Sequence, residues 1–189
     1  GLLDTGAVGN SDYYLWAIKR SDTSVVDYLS SLSSTTPTMP TSYDFKRLIG
    51  WFKRVGGAVV AFHTYEAEGG GVEFSWDTPT LDVDLAATLT TSRRTDVVKV
   101  PLNFSTIALL RLSAEDAATT SVLVVCNPDE ADVAPSVTVA PLGSSRTQVA
   151  NIEEITELEV RTSATGTVAA RANVATYDDY SLLTKGFKW

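Results

Sequence analysis

The predicted fold rests on the first 51 residues, which read GLLDTGAVGNSDYYLWAIKRSDTSVVDYLSSLSSTTPTMPTSYDFKRLIGW (residues 1–51). Two strand-like runs, 13–20 and 25–30, flank a polar turn at 21–24. A crossover rich in Ser, Thr and Pro then leads into a third run, 44–53. Tyr, Trp, Ile, Val and Phe dominate these runs, and side chains of this kind favour strands over helices.

The rest of the chain continues this pattern of short apolar runs separated by clusters of Gly, Pro, Ser and Asp. We predict strands at 13–20, 25–30, 46–53, 58–65, 72–76, 81–90, 97–101, 107–112, 121–127, 136–140, 155–162 and 167–174. So many short strands predict an all-β fold, an antiparallel β-sandwich of jelly-roll-like type. We treat residues 1–189 as one domain, with weak boundaries near 69–71 or 129–135.

Four segments between or beyond these strands receive a specific prediction. Residues 164–166 are read as the turn of a hairpin that joins the strands at 155–162 and 167–174. Residues 91–96 are read as a polar loop, and 113–119 as either a loop or one helical turn capped by Ser113. The aromatic C-terminal tail, 177–189, is expected to be held by packing.

Charge and composition exclude several classes of function. The chain has 15 Lys and Arg against 23 Asp and Glu, a formal net charge of −8, which disfavours binding to nucleic acid or to anionic membranes. We find no apolar run long enough to cross a membrane and no basic segment of a signal peptide at the start. The absent initiator methionine indicates processing or a fragment. Cys126 is the only cysteine, so we expect no internal disulfide and a buried thiol.

The sequence offers little for catalysis. His63 is the only histidine, and no nucleophile motif accompanies it, so we favour a structural role over that of a catalytic base. Acidic side chains that could bind calcium or act as an acid/base pair are Asp82 with Asp84, Glu66 with Glu68, Asp129 with Glu130 and Asp132, and Asp178 with Asp179. None has the spacing of a calcium loop, so we interpret them as solvated surface and expect no metal, no cofactor and no enzyme activity.

Aromatic side chains near strand ends are the better candidates for binding. Tyr43, Tyr65, Trp76 and Tyr177 could stack on sugar rings of a receptor. Packing in the core is the alternative for each of them, because half of the side chains of a strand point inward.

The first 51 residues also resemble a segment of tail-fibre and other virion structural proteins of tailed bacteriophages. The resemblance rests on an ordered succession: LDTG at 3–6, YLWAI at 14–18, SDT at 21–23, VDYL at 26–29, SSTTPTMP at 33–40, Tyr43, and KRLIG at 46–50. It covers about a quarter of the chain. Ser24 departs from the pattern, because a glycine would suit this turn.

The resemblance implies a non-enzymatic appendage module, a homotrimer made in the host cytoplasm and exposed on the virion. It implies contacts with other virion proteins and with a bacterial surface glycan or protein, and it brings no catalytic residues. Tail-fibre or receptor-binding domain is the function we expect. A head fibre or capsid-decorating protein, a polysaccharide-degrading tailspike-type enzyme and a carbohydrate-binding module are the alternatives.

Overall fold

A computed structural model of the chain describes residues 2–84, 89–136, 138, 144–146 and 150–189. Contacts divide the chain into two compact units, Gly1–Ala61 and Phe62–Trp189. The division falls at neither of the two boundaries considered from the sequence. Each unit is built from β-strands, and every regular element among the described residues is a strand, which confirms the all-β, sandwich-like prediction.

The first unit is a single five-stranded sheet with the order β1-β3-β2-β4-β5. Its strands are β1 (Leu2–Leu3), β2 (Asp12–Arg20), β3 (Val26–Ser31), β4 (Tyr43–Val55) and β5 (Ala58–Val59). All pairs are antiparallel except β1 with β3. The central strand β2 corresponds to the predicted strand at 13–20, which is rich in Tyr, Leu, Trp and Ile.

One face of this sheet is covered by the unit's own chain. Tyr14, Trp16 and Ile18 alternate along β2 and are all buried. The crossover from β3 to β4 lies over them, and the Trp16 indole N–H donates to the backbone carbonyl of Ser33 at 3.2 Å. The carboxylate of Asp4 holds the crossover, since it accepts a hydrogen bond from the Ser31 hydroxyl at 2.6 Å and another from a backbone N–H at 2.9 Å.

The turn between β2 and β3 places a serine where a glycine fits better. The backbone N–H of Arg20 donates to the carbonyl of Val25 at 3.0 Å and closes the predicted turn. Ser24 has a φ of 59°, in the left-handed region. A residue with a Cβ is strained in this region, so Ser24 carries an energetic cost that a glycine would not.

The second unit contains two sheets that pack as a sandwich. Its strands are β6 (Phe62–Glu66), β7 (Val72–Val83), β8 (Arg94–Val97), β9 (Ile107–Glu115), β10 (Val122–Cys126), β11 (Ser144–Arg146), β12 (Glu154–Arg161), β13 (Thr167–Ala172) and β14 (Asp179–Lys188). One sheet has the order β12-β9-β14-β7-β6, and the other has the order β11-β10-β13-β8. Leu110, Leu182, Leu123 and Val168 are among the fully buried side chains that these sheets contribute to the core.

Buried hydrogen bonds tie the two sheets together. The Tyr180 hydroxyl on β14 donates to Asp96 on β8 at 3.1 Å, and the Arg94 guanidinium also binds the Asp96 carboxylate. Burial, and then the Asp96 charge, raise the pKa of Tyr180 well above its ordinary value, so the hydroxyl keeps the proton that it donates. At another place the Trp76 indole N–H donates to the carbonyl of Lys99 at 3.1 Å.

Strand β14 bulges at a glycine that the packing requires. The register of β14 shifts between Thr184 and Gly186 against both neighbouring strands. A Cβ built on Gly186 would lie 1.9 Å from the backbone oxygen of Phe74, closer than any side chain tolerates. Next to it the rings of Phe74 and Phe187 stack with their centroids 4.7 Å apart. The absence of a side chain at Gly186 therefore permits the close approach of β7 and β14.

The structure corrects the prediction for the C-terminal tail. Residues 179–188 form β14, which is the middle strand of the five-stranded sheet, so the tail contributes more than terminal packing. Every second side chain of β14, namely Tyr180, Leu182 and Thr184, points toward the core, but the bulge interrupts this alternation before Phe187. A search of the sequence for strict alternation of buried side chains therefore misses the strand.

The predicted hairpin at 164–166 is also wrong, although the turn itself exists. Gly166 donates to the carbonyl of Ser163 at 3.1 Å, but β12 pairs with β9 while β13 pairs with β10 and β8. The turn thus carries the chain from one sheet to the other. Small inward side chains on β13 indicated a closely packed strand, but they could not indicate which strand lies beside it.

Three further predictions are changed by burial or pairing. The predicted loop at 91–96 includes most of β8, because the inward polar side chains of Arg94 and Asp96 satisfy each other. The predicted strand at 72–76 and residues 81–83 of the predicted strand at 81–90 belong to one continuous strand, β7. Residues 84, 89 and 90 are not in a strand, and 85–88 lie outside the described residues. Pro79 lies beyond the part of β7 that pairs with β6. Strand β9 extends into 113–119, so that segment is not a helical turn. Most of the predicted strand at 136–140 lies outside the described residues.

We expect Ser24→Gly to raise the free energy of unfolding by about 1 kcal/mol, because glycine adopts the left-handed conformation without the steric penalty of a Cβ. Denaturant titration of both proteins measures the difference. Ser34→Gly, at a position in the same unit without a positive φ, is the matched control and should lower stability slightly. A destabilised Ser24→Gly protein would contradict the strain at this turn.

Candidate binding surfaces

The outer face of the five-stranded sheet in the second unit carries rows of polar side chains. The register places facing residues side by side across all five strands. One row runs Arg161, Ile107, Lys188, Glu73 and Tyr65, and the next row runs Glu159, Leu109, Gly186, Ser75 and His63. Because Gly186 has no side chain, the surface of the sheet is lower at the middle of the second row.

A shallow depression of about 340 Å³ lies on this face. Its lining residues are Glu73, Leu109, Glu157, Leu158, Glu159 and Lys185. A second depression of about 230 Å³ lies at one end of the sheet, beside Arg161, Lys188 and Trp189. Both are small and shallow, so they suit weak surface contact better than enclosure of a substrate.

Ion pairs fix the charged side chains around the first depression. Glu157 accepts from the Arg111 guanidinium at 2.9 Å and from the Lys185 ammonium at 3.0 Å. Lys188 binds Glu159 and lies 3.9 Å from Glu73. Slight burial acts to raise the pKa of Glu157, but the hydrogen bonds from Lys185 and Arg111 lower it overall. A general acid needs a raised pKa, so Glu157 is a poor candidate for that role.

The edge strand β6 presents an exposed ring pair beside this face. Tyr65 is 56% exposed, and its ring centroid lies 6.5 Å from that of His63. The His63 Nε2 lies 3.4 Å from a carboxylate oxygen of Asp77. His63 is exposed, so it is not a packed core residue, and its one acidic neighbour gives it a surface ion-pair geometry.

The four predicted receptor-binding aromatics differ in exposure. Tyr65 is exposed, and Tyr43 is partly exposed at the start of β4 in the first unit. Trp76 is only 4% exposed and Tyr177 is 0% exposed, so neither ring can stack on a sugar. The correction has a simple cause: both side chains point into the sandwich core, which is the alternative that strand alternation allowed.

The predicted acidic pairs are separated by burial or remain on the surface. Asp82 is partly buried on β7, whereas Asp84 is exposed just beyond the strand. Glu66, Glu68, Asp129, Glu130 and Asp178 are exposed. Within the described part of the chain, no group of three or more His, Cys, Asp or Glu side chains could hold a metal ion, and no helix could cross a membrane.

Cys126 is only partly buried, at the end of β10. Burial raises the pKa of its thiol, although Arg93, with a guanidinium nitrogen 3.6 Å from the sulfur, acts in the opposite direction. The thiol therefore stays protonated and has little nucleophilic character at neutral pH.

A third surface, which the sequence analysis did not identify, lies on the first unit. We call it the open face, since the covering crossover lies on the other side of the sheet. Two rows of facing residues form it: Tyr28, Ala17 and Arg47, then Val26, Lys19 and Phe45. Val26 is 60% exposed, Tyr28 54% and Phe45 58%. The sequence of β2 contains a signal that could have located the surface, since Leu15 and Ala17 are apolar on the face opposite the buried Trp16.

A scan against protein-family models, a search of curated proteins and a search of solved structures each found no match to this chain. The function is therefore inferred from the residues and their geometry.

We expect the stability of Asp82→Asn relative to that of the wild-type chain to be higher at about pH 7 than at about pH 3. Burial raises the pKa of Asp82, more than hydrogen bonds from Thr184 and from the Lys99 backbone lower it. The folded state therefore holds the proton more tightly than the unfolded state. The wild-type chain loses stability as pH rises from the ordinary pKa through the raised one, whereas asparagine does not titrate.

Denaturant unfolding of both proteins across this pH range measures the effect. Thr184→Val, which removes one hydrogen bond to the carboxylate, is the companion variant and should enlarge the wild-type loss. A stability difference between Asp82→Asn and the wild type that stays constant with pH would show that the carboxyl group titrates equally in the folded and unfolded chains.

Proposed function

We propose that this chain is a structural module of a tailed-phage virion, most specifically part of a tail fibre that touches the bacterial surface. The ordered series of motifs in residues 1–51 is the observation that carries the proposal. These residues all belong to the first compact unit, Gly1–Ala61. A series that spans one folding unit is better evidence of relationship than the same motifs scattered over several.

The motifs have physical roles in that unit, which explains why they occur together. Asp4 of LDTG binds the crossover through Ser31 and a second backbone N–H, and the crossover contains the SSTTPTMP segment. YLWAI supplies the central strand, and Trp16 of this motif contacts the crossover. VDYL and KRLIG supply the two strands beside it. Each motif is therefore a part of one packing arrangement.

The second unit supports a role in contact. Its outer sheet face is polar and shallow, and Tyr65 stands exposed at its edge. A surface of this kind gives weak binding to a sugar or peptide from a single copy. Several copies on one appendage convert weak single contacts into firm attachment, which is the mechanism we propose for a homotrimeric fibre. The chain binds and does not transform its target.

Gold-labelled antibodies against the purified chain should decorate the tail-fibre tips of phage particles in electron micrographs. Labelling of the head would instead identify a head fibre or a decorating protein, and particles without label would contradict a virion role. Particles grown from a phage in which this coding segment is deleted are the control for antibody specificity.

Tyr65→Ala should weaken binding of the labelled chain to host cells by about tenfold, because the change removes an exposed stacking ring. Val97→Ala is the matched control, since Val97 is exposed on β8 of the other sheet and should leave binding unchanged. Equal binding by both variants would exclude Tyr65 from the contact. Release of reducing ends from the host polysaccharide would contradict the non-enzymatic role.

A further inference from the structure

The open face of the first unit combines exposed apolar side chains with two cations that lack partners. Among the described residues, the side chains of Lys19 and Arg47 make no hydrogen bond and no ion pair. The other cations of this unit are all engaged: Arg20 pairs with Asp22 at 2.6 Å, Lys53 with Asp12 at 3.2 Å, and Lys46 and Arg54 bind backbone carbonyls.

The residues around these cations are those that protein interfaces favour. Tyr, Phe and Arg are enriched at the centres of interfaces, and Asp and Glu are depleted there. The six positions of the open face include Tyr28, Phe45 and Arg47 and no carboxylate. A flat, half-apolar and cationic face therefore fits a protein surface that is apolar and acidic.

The chain itself contains such a surface. Residues 1–61 carry 6 Lys and Arg against 5 Asp and Glu, whereas residues 62–189 carry 9 against 18. The acidic excess lies entirely in the second unit. Oppositely charged surfaces within one sequence permit association between copies, although the net charge of each copy is −8.

One segment of the second unit matches the open face in both respects. Ile152 is 53% exposed and Ile155 is 60% exposed, and between them the exposed Glu153 accepts a hydrogen bond from the Ser113 hydroxyl. The segment leads into β12, the outermost strand of the five-stranded sheet. Two exposed apolar side chains and an exposed carboxylate here complement the apolar side chains and the cations of the open face.

We propose that the open face of one copy docks on residues 152–155 of a second copy. Lys19 and Arg47 face Glu153, and Tyr28 and Phe45 pack against the two isoleucines. The two surfaces differ, so each copy keeps one of each free, and repetition leads to a closed ring or to a filament. This inference rests on the proposed assembly of several copies and names the contact that holds them.

Exchange of the charges tests the contact. Lys19→Glu with Arg47→Glu makes the face acidic, and Glu153→Lys makes the segment basic. Each variant alone brings like charges together and should weaken self-association at least about tenfold. An equimolar mixture restores opposite charges at both contacts and should associate again. Sedimentation over a range of concentrations, at low and at physiological salt, measures each state.

Controls separate this contact from a general effect of charge. Arg161→Glu alters the net charge as much as Arg47→Glu does, but Arg161 lies at the far end of β12 from residues 152–155, so self-association should persist. Tyr28→Ala should weaken association without changing the charge. Far-ultraviolet circular dichroism confirms that each variant is folded.

Several results would overturn the proposal: a wild-type chain that stays monomeric at every concentration, a face variant that associates like the wild type, or a mixture that does not recover. Failure of recovery means that the acidic partner is another surface. These results leave the virion proposal standing, because antibody labelling of particles does not depend on this contact. If the antibodies do not label particles but the mixed charge variants associate again, the virion proposal fails and the proposed contact stands.

Discussion

The hydrogen bond from the Tyr180 hydroxyl to Asp96 joins the middle strand of one sheet to an outer strand of the other. It is buried, and Arg94 neutralises the carboxylate that accepts it. A carboxylate without these partners would cost several kcal/mol to bury, of the order of the entire stability of a domain. The sandwich thus depends on one polar contact placed between apolar layers, and this contact sets how β8 lies against β14.

The first unit differs, because its described residues form one sheet. Its crossover covers one face through Trp16 and Asp4, and the opposite face keeps Val26, Tyr28 and Phe45 in water. Antiparallel sheets commonly leave one face solvated, but that face is then polar. A half-apolar face with two unpartnered cations is instead suited to a partner, and this is the physical basis of the self-association that we infer.

The sequence predicted the strands better than it predicted the candidate site. The strands at 13–20, 25–30, 46–53, 107–112 and 155–162 are confirmed, because their apolar side chains repeat with the period that a pleated strand imposes. Of the candidate aromatics, Tyr65 is exposed, but Trp76 and Tyr177 are in the core. The alternation of apolar and polar side chains shows that a strand has two different faces, but it does not show which face meets the second sheet. The open face depends on β3, β2 and β4 lying in register, and no local pattern contains that information.

The amino-acid sequence alone determined that this chain is all-β, where most of its strands lie, and that the turn at Ser24 would be strained. These features depend on side chains a few positions apart and on the backbone preferences of single residues. The tertiary structure decided that β14 is a middle strand, that the turn at 164–166 changes sheets, and that β8 buries Asp96 beside Arg94. Strand partners are distant in the chain, and a buried charge is tolerable only where its partner is present, so these features are properties of the assembled fold.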